Sequence, residues 1–367
     1  MDGNSVKKIL FAFIACCTSI CFADNTDGVR LIPLPEASNY TRAQSHRVPI
    51  LSVKLTEILA AMQHARSKQL YDGARGVAAG QLPSRVDLGM NGVPRFNQGH
   101  NGTCVTFAIT AAIDASLGKG DYVSQLCLLQ LSSHLSANSY WYTGWNGSDG
   151  HQTLSHIAEY GLITKEDQKK GACNKVYEYP LNEAGAQAQL QLNSTEYHRY
   201  SHNVFAEAGI QPQLLFKIIH NKPDSFVTLG NNSDGWVSPT ESLEKMRKSL
   251  AEGNRVALGY LLNTKHIYDG RNKSNFDTWF ASKELKDAFN TQHIVTAADL
   301  EDWGQHYVVV YGYDDNITVT NKAGEKQKGV FYIRNSWDNG KDIEYMSYDY
   351  FKLMAGEAYS INTVKNN

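Results

Sequence analysis

From Gly304 to Tyr313 the chain reads Gly-Gln-His-Tyr-Val-Val-Val-Tyr-Gly-Tyr, and from Phe331 to Trp337 it reads Phe-Tyr-Ile-Arg-Asn-Ser-Trp. β-Branched and aromatic runs of this kind ask for strands rather than helix. A shorter run at Ile317–Thr320 and the polar stretch Asn321–Lys328 complete the pattern. The reading is strands at His306–Tyr313, Ile317–Thr320 and Gly329–Asn335, the last two joined by a hairpin turn. Such strands need a core to cover them, and 367 residues are enough to supply one.

The first half carries the opposite signal. Gln98-Gly99-His100-Asn101-Gly102-Thr103-Cys104 is a glycine-punctuated stretch leading into Ala108, Ile109, Ala112 and Ile113, which recur at helical spacing before Gly118. Cys104 therefore falls at or near a helix N-terminus. There the helix dipole and unpaired N–H groups favour a thiolate, which makes Cys104 a candidate nucleophile. A small core residue is the alternative, and this stretch alone does not separate the two. Further helices are read at Tyr122–Asn138, Thr153–Gly161, Ala184–Leu192, Val204–Ala208, Gln213–His220, Glu241–Ala251 and around Ser282–Phe289, with a strand at Arg255–Leu262. Val53, Leu55, Ile58, Leu59, Met62 and Leu70 give an amphipathic course through Ser52–Leu70.

Set together, Gln98 six residues before Cys104, Gly304-x-His306 ahead of a strand ending in Gly312-Tyr313, and Asn335-Ser336-Trp337 resemble the papain-like cysteine peptidase family. The resemblance implies an α+β fold with a helical left subdomain, an antiparallel β-barrel-like right subdomain and a cleft between them. It implies Cys104 as nucleophile, His306 as base, Asn335 as the group orienting the base, and Gln98 as oxyanion donor. The aromatic, glycine-rich loop Tyr140–Gly150 stands where the family lines its cleft, so Trp145, Gly147 and Gly150 are candidate substrate contacts; Trp337 is a fourth, read chiefly as a shield for the Asn–His pair. Leu82-Pro83-Ser84-Arg85-Val86-Asp87 is similar to the start of the mature family enzyme. Residues 24–80 would then be a prosegment, or a permanent N-terminal helical segment, and 81–367 the catalytic domain, helical over about 88–250 and β-rich over about 251–367.

The departures from the pattern are specific. Asn101-Gly102-Thr103-Cys104-Val105 replaces the Cys-Gly-[Ser/Ala]-Cys-[Trp/Tyr] signature, and Cys104 lies roughly 200 residues from His306 against the ≈ 130–150 of the family. The poorly matching stretch 165–240 absorbs part of that excess.

Composition narrows the function classes. A net charge of −2, with no basic cluster interleaved with aromatics, gives no reason to expect nucleic acid. Lys7 and Lys8 ahead of an apolar run ending near Ala23 read as a secretory signal over residues 1–23, which places the product outside the cytosol, secreted or periplasmic, and off the membrane once cleaved. Removal of Cys16, Cys17 and Cys21 leaves Cys104, Cys127 and Cys173. An odd number in an exported chain suggests one bridge and one free thiol, so Cys127–Cys173 is the disulfide candidate if Cys104 is free; two further free thiols are the alternative. His134, His151 and His156 match no zinc spacing, and no metal or cofactor is expected. The expected partners are a peptide or protein substrate and the chain's own prosegment. The function expected is hydrolysis of peptide bonds, as an endopeptidase made as a zymogen. A related thiol hydrolase or acyl transferase on cell-wall peptides or amides, and a silent binding protein, are the alternatives.

Overall fold

The computed structural model describes residues 29–33, 49–53, 82–137, 142–182, 190–218, 237–263, 271–272, 278–291, 303–337 and 344–363. The signal read at 1–23 and most of the helix read at 52–70 lie outside these residues, although Ser52 and Val53 end a strand instead.

The fold is α+β. Nine helices run among the described residues: α1 Cys104–Leu117, α2 Gln125–Ser136, α3 Gly150–Tyr160, α4 Lys165–Lys169, α5 Ser194–His198, α6 Val204–Ala208, α7 Pro239–Ala251, α8 Lys283–Thr291 and α9 Tyr348–Met354. The strands are β1 Val29–Pro33, β2 Pro49–Val53, β3 Arg85–Asp87, β4 Ile210–Lys217, β5 Arg255–Asn263, β6 Arg271–Asn272, β7 Thr278–Trp279, β8 Trp303–Thr320, β9 Lys326–Arg334, β10 Glu344–Ser347 and β11 Ala355–Thr363. They form one sheet in the order β4-β11-β5-β8-β9-β10-β7-β6, with β2 and β3 added along β8 and β1 on β2. This path is open, where a barrel-like subdomain was expected.

Strand β8 is the spine. Its alternation sends Tyr307, Val309 and Tyr311 into the core shared with α1, α2 and α3, and Val308 and Val310 into a second core with α7 and α9. A strand covered on both faces has to be apolar at successive positions, which explains the uninterrupted Tyr-Val-Val-Val-Tyr run. The two strands expected at 306–313 and 317–320 are one strand, whose register against β9 shifts between Asp314 and Thr318. Helix α1 is buried nearly all round because it packs on β5 and β8 on one side and on α2 and α3 on the other.

Two other expectations are corrected. Gln213–His220, read as helix, belongs through Lys217 to β4, because the segment pairs antiparallel with β11, with Ile210 and Leu214 entering one core and Phe216, past a register shift, the other. The helix read at 184–192 falls largely outside the described residues, and 190–192 are not helical. The sheet thus recruits a strand from within the half expected to be helical.

Asp114, at 0% exposure on α1, accepts the main-chain N–H groups of Tyr122 and Val123. Burial pushes its carboxyl up to about 8, against the pull of those two N–H groups, with Asp121 raising it further and Lys165 lowering it. A folded-state value above the unfolded one means stability present below about pH 4 and lost as pH rises toward 8. Burial raises Asp149 only to about 6 and lowers His156 and His306 to about 4, so Asp114 dominates the slope between pH 7 and 8. The expected result is a loss of about 1 kcal/mol between pH 7 and 8 in urea denaturation, absent in Asp114→Asn.

Candidate active site

The loop before α1 brings the site together. Gly99, at φ +58, lets the chain turn so that the carbonyl of Leu181 lies where a Cβ would stand. Cys104 then opens α1 as a free thiol, 6% exposed. The main-chain N–H groups of Tyr307, Val105 and Cys104 itself lie near enough to the sulfur to favour its ionised form. The nucleophile candidate therefore rests against the residue that follows His306.

His306, on β8, is buried beneath an aromatic cover. Trp337 stacks on the imidazole with centroids 4.3 Å apart, and Tyr260 meets it edge-on at 5.7 Å. Its Nε2 lies 2.8 Å from Asn335 Oδ1. That same oxygen accepts the Ser336 main-chain N–H at 2.8 Å. A main-chain N–H can only donate, so the Asn335 atom is the carbonyl oxygen and His306 Nε2 must carry the hydrogen. The ring's lone pair is thereby assigned to Nδ1, where a base needs it.

Gln98, 1% exposed, is held from the same hairpin end. Ser336 Oγ donates to Gln98 Oε1 at 2.6 Å, and the Gln98 N–H donates to the Ser336 carbonyl at 2.8 Å. One hydrogen of Gln98 Nε2 goes to the Asn101 carbonyl at 2.8 Å, and the amide has a second to offer. The structure thus gathers Gln98, His306 and Asn335 through Ser336, with Cys104 beside the same strand. Ser336 was not singled out in the sequence. Its signal was membership of the Asn-Ser-Trp triplet.

The electrostatics reverse one expectation. The helix N-terminus was expected to lower the Cys104 pKa. Burial instead pushes the thiol up to about 11, outweighing the three N–H groups. Burial also takes the His306 imidazole down to about 4, against the opposing hydrogen bond it donates to Asn335 Oδ1. Burial therefore favours the neutral form of the thiol and of the imidazole alike.

The remaining candidates are placed as follows. Trp145 is buried, stacks on Tyr179 at 5.9 Å, and gives its carbonyl to the Gly102 N–H at 2.8 Å. Gly147, at φ +122, approaches Gly102 so closely that a Cβ there would meet the Gly147 nitrogen at 3.2 Å. Gly150 starts α3 with the Tyr359 ring against its Cα, facing the interior rather than the Cys104 loop. Trp337 covers His306. Cys127 on α2 and Cys173 form a disulfide with Cα atoms 5.1 Å apart. Among the described residues no three His, Cys, Asp or Glu side chains cluster as metal ligands, and no helix is long and apolar enough to cross a membrane.

No protein-family model matches the sequence, and no curated protein matches it either. Solved structures do. The chain is similar to xylellain, a cysteine protease from Xylella fastidiosa, at 18% identity over 78% of this chain and 88% of that one, with a TM-score of 0.44. It is similar to digestive procathepsin L 3 of Tenebrio molitor at 14% identity over 90% and 83% of the two chains, TM-score 0.44. For procathepsin B from Trypanosoma congolense the values are 13%, 81%, 84% and 0.43. Those three are cysteine proteases or their precursors.

Proposed function

We propose that this chain is an exported papain-like cysteine peptidase, an endopeptidase made with residues 1–23 as signal and 24–80 as prosegment. The observation that carries the reading is the His306–Asn335 pair, whose hydrogen bonding leaves Nδ1 as the basic atom on the strand against which the free Cys104 thiol rests. His306 Nδ1 takes the proton of Cys104, and the sulfur attacks the substrate carbonyl carbon. The oxygen that becomes negative is held by the Cys104 main-chain N–H and the second Gln98 Nε2 hydrogen. The imidazolium gives its proton to the leaving amine, then accepts one from the water that releases the acyl group. Asn335 keeps the ring in register throughout, as Asp does in the serine version.

The prosegment reading is supported by β2, which pairs antiparallel with β8 at Leu51 opposite Gln305. That is one residue from His306. A strand laid there occupies backbone that an extended substrate would use. The mature body would begin near β3, where Tyr313 Oη donates to the Pro83 carbonyl at 2.7 Å and Arg255 holds the Leu88 and Gly89 carbonyls.

The test is mass mapping after reaction with a peptidyl epoxide, beside hydrolysis of fluorogenic dipeptides and casein under reduction. The expected result is a single adduct on Cys104, lost in Cys104→Ala and kept in Cys127→Ala, with peptide turnover. Labelling of Cys104 with turnover of a cell-wall amide alone would replace the peptidase with the acyl-transferring alternative. No adduct would leave a binding protein.

A further inference from the structure

The loop from Gln98 to Cys104 is fastened on a second side, by residues 179–182 of the stretch that fits the family pattern least. The His100 N–H donates to the Leu181 carbonyl at 2.7 Å, and Asn101 Nδ2 donates to the carbonyls of Pro180 at 2.9 Å and Asn182 at 3.3 Å. Tyr179 Oη stands 3.0 Å from the Gln98 carbonyl and 2.9 Å from Thr103 Oγ1. A phenol has one hydrogen, and a carbonyl can only accept. Tyr179 therefore donates to Gln98, and Thr103 donates to Tyr179.

Those two partners bracket the reacting centre as read above. Gln98 carries one oxyanion donor, and the other, the Cys104 N–H, belongs to the peptide group that Thr103 begins. We propose that Tyr179 is a positioning residue of the oxyanion site, its hydroxyl fixing the separation between the Gln98 amide and the Cys104 N–H. The inference rests on the peptidase reading and assigns it a residue outside the four taken from the sequence. The ring is itself held, edge-on to Phe107 at 4.9 Å and stacked on Trp145 at an interplanar angle of 16°. Burial raises the phenol's pKa, outweighing the hydrogen bonds with Thr103 and Asn101 that lower it, so it stays a donor at working pH.

The chain in which to test this is the protein made full-length and then activated by loss of its prosegment, with Tyr179→Phe and Thr103→Val cutting the bridge from either end while keeping the packing. Losing an oxyanion donor outright costs ~10²–10³ in rate, and loosening one is expected to cost roughly 10- to 100-fold in kcat with KM nearly unchanged. Affinity for a peptide aldehyde, whose thiol adduct carries the same oxygen, should fall by the same factor. Alkylation of Cys104 by iodoacetamide forms no oxyanion and should stay within about twofold, and the double variant should be no worse than either single one. Equal losses in alkylation and hydrolysis would make Tyr179 merely structural and overturn the proposal. So would a variant that hydrolyses and binds aldehyde like wild type. If wild type itself neither cuts peptides nor binds the aldehyde, the peptidase reading falls, and the role of Tyr179 with it.

Discussion

Carboxymethylation of Cys104 in the full-length chain is expected to quicken about tenfold per pH unit from pH 7 to 10, without a plateau near neutrality. The cause is the burial that takes the thiol to about 11, so that only a small fraction is ionised at pH 7. A folded pKa above the ordinary thiol value means the reactive form gains with rising pH and is lost as pH falls. The same burial holds His306 near 4, so the imidazole offers no compensating charge. If residues 24–80 are a prosegment and its loss, with β2 taken off the edge of β8, uncovers the site, the thiol and imidazole are expected to ionise together. The shortened chain should then alkylate at pH 6–7 on the order of a thousandfold faster than the full-length one, and its profile should flatten. Stopped-flow or mass-resolved labelling across pH reads both. A full-length chain with a plateau from pH 5 to 9 would show that the ion pair already exists before any cut. A shortened chain with an unchanged profile would detach β2 from the control of reactivity.

Asn335→Ala should lower kcat by ~10²–10⁴, the range that general acid–base catalysis contributes. The alanine leaves two donors without their acceptor, His306 Nε2–H and the Ser336 N–H, both buried in the native chain. The ring loses what selects its tautomer and can turn beneath Trp337. Each orphaned donor costs about 1–3 kcal/mol, so the midpoint of urea unfolding should fall as well. Asn335→Gln keeps an amide but displaces it by a methylene, and should recover stability more than rate. Equal rates in Asn335→Ala and wild type would mean that Trp337 alone positions the imidazole.

What could be read in advance follows from the range over which each signal acts. Gln98, Cys104, His306 and Asn335 stand out because each sits in a short stretch whose residue types are unusual together. The β8 and β9 runs stand out because burial on both faces leaves no polar alternation to confuse them. β4 did not, because Ile210, Leu214 and Phe216 satisfy a strand only once β11 is beside it, and β11 is more than a hundred residues downstream. Tyr179 lay in a stretch without a recognisable motif, and its role needs Gln98 and Thr103 folded against it. The Ser336–Gln98 bond joins positions 238 apart. The direction of the Cys104 shift was missed for a similar reason. Helix ends act locally and can be seen in a sequence, whereas desolvation is set by everything that closes overhead.

The bridge between Cys127 and Cys173 has a bearing on how this chain would be handled at the bench. Both half-cystines are at 0% exposure, and six residues after the second comes Tyr179. A thiol reagent added to keep Cys104 reduced is therefore also, at sufficient strength and time, a solvent for the mooring of the Gln98–Cys104 loop. Turnover plotted against dithiol concentration should climb, level, and then decline, and the decline should be slow to set in, since the cystine must first be uncovered.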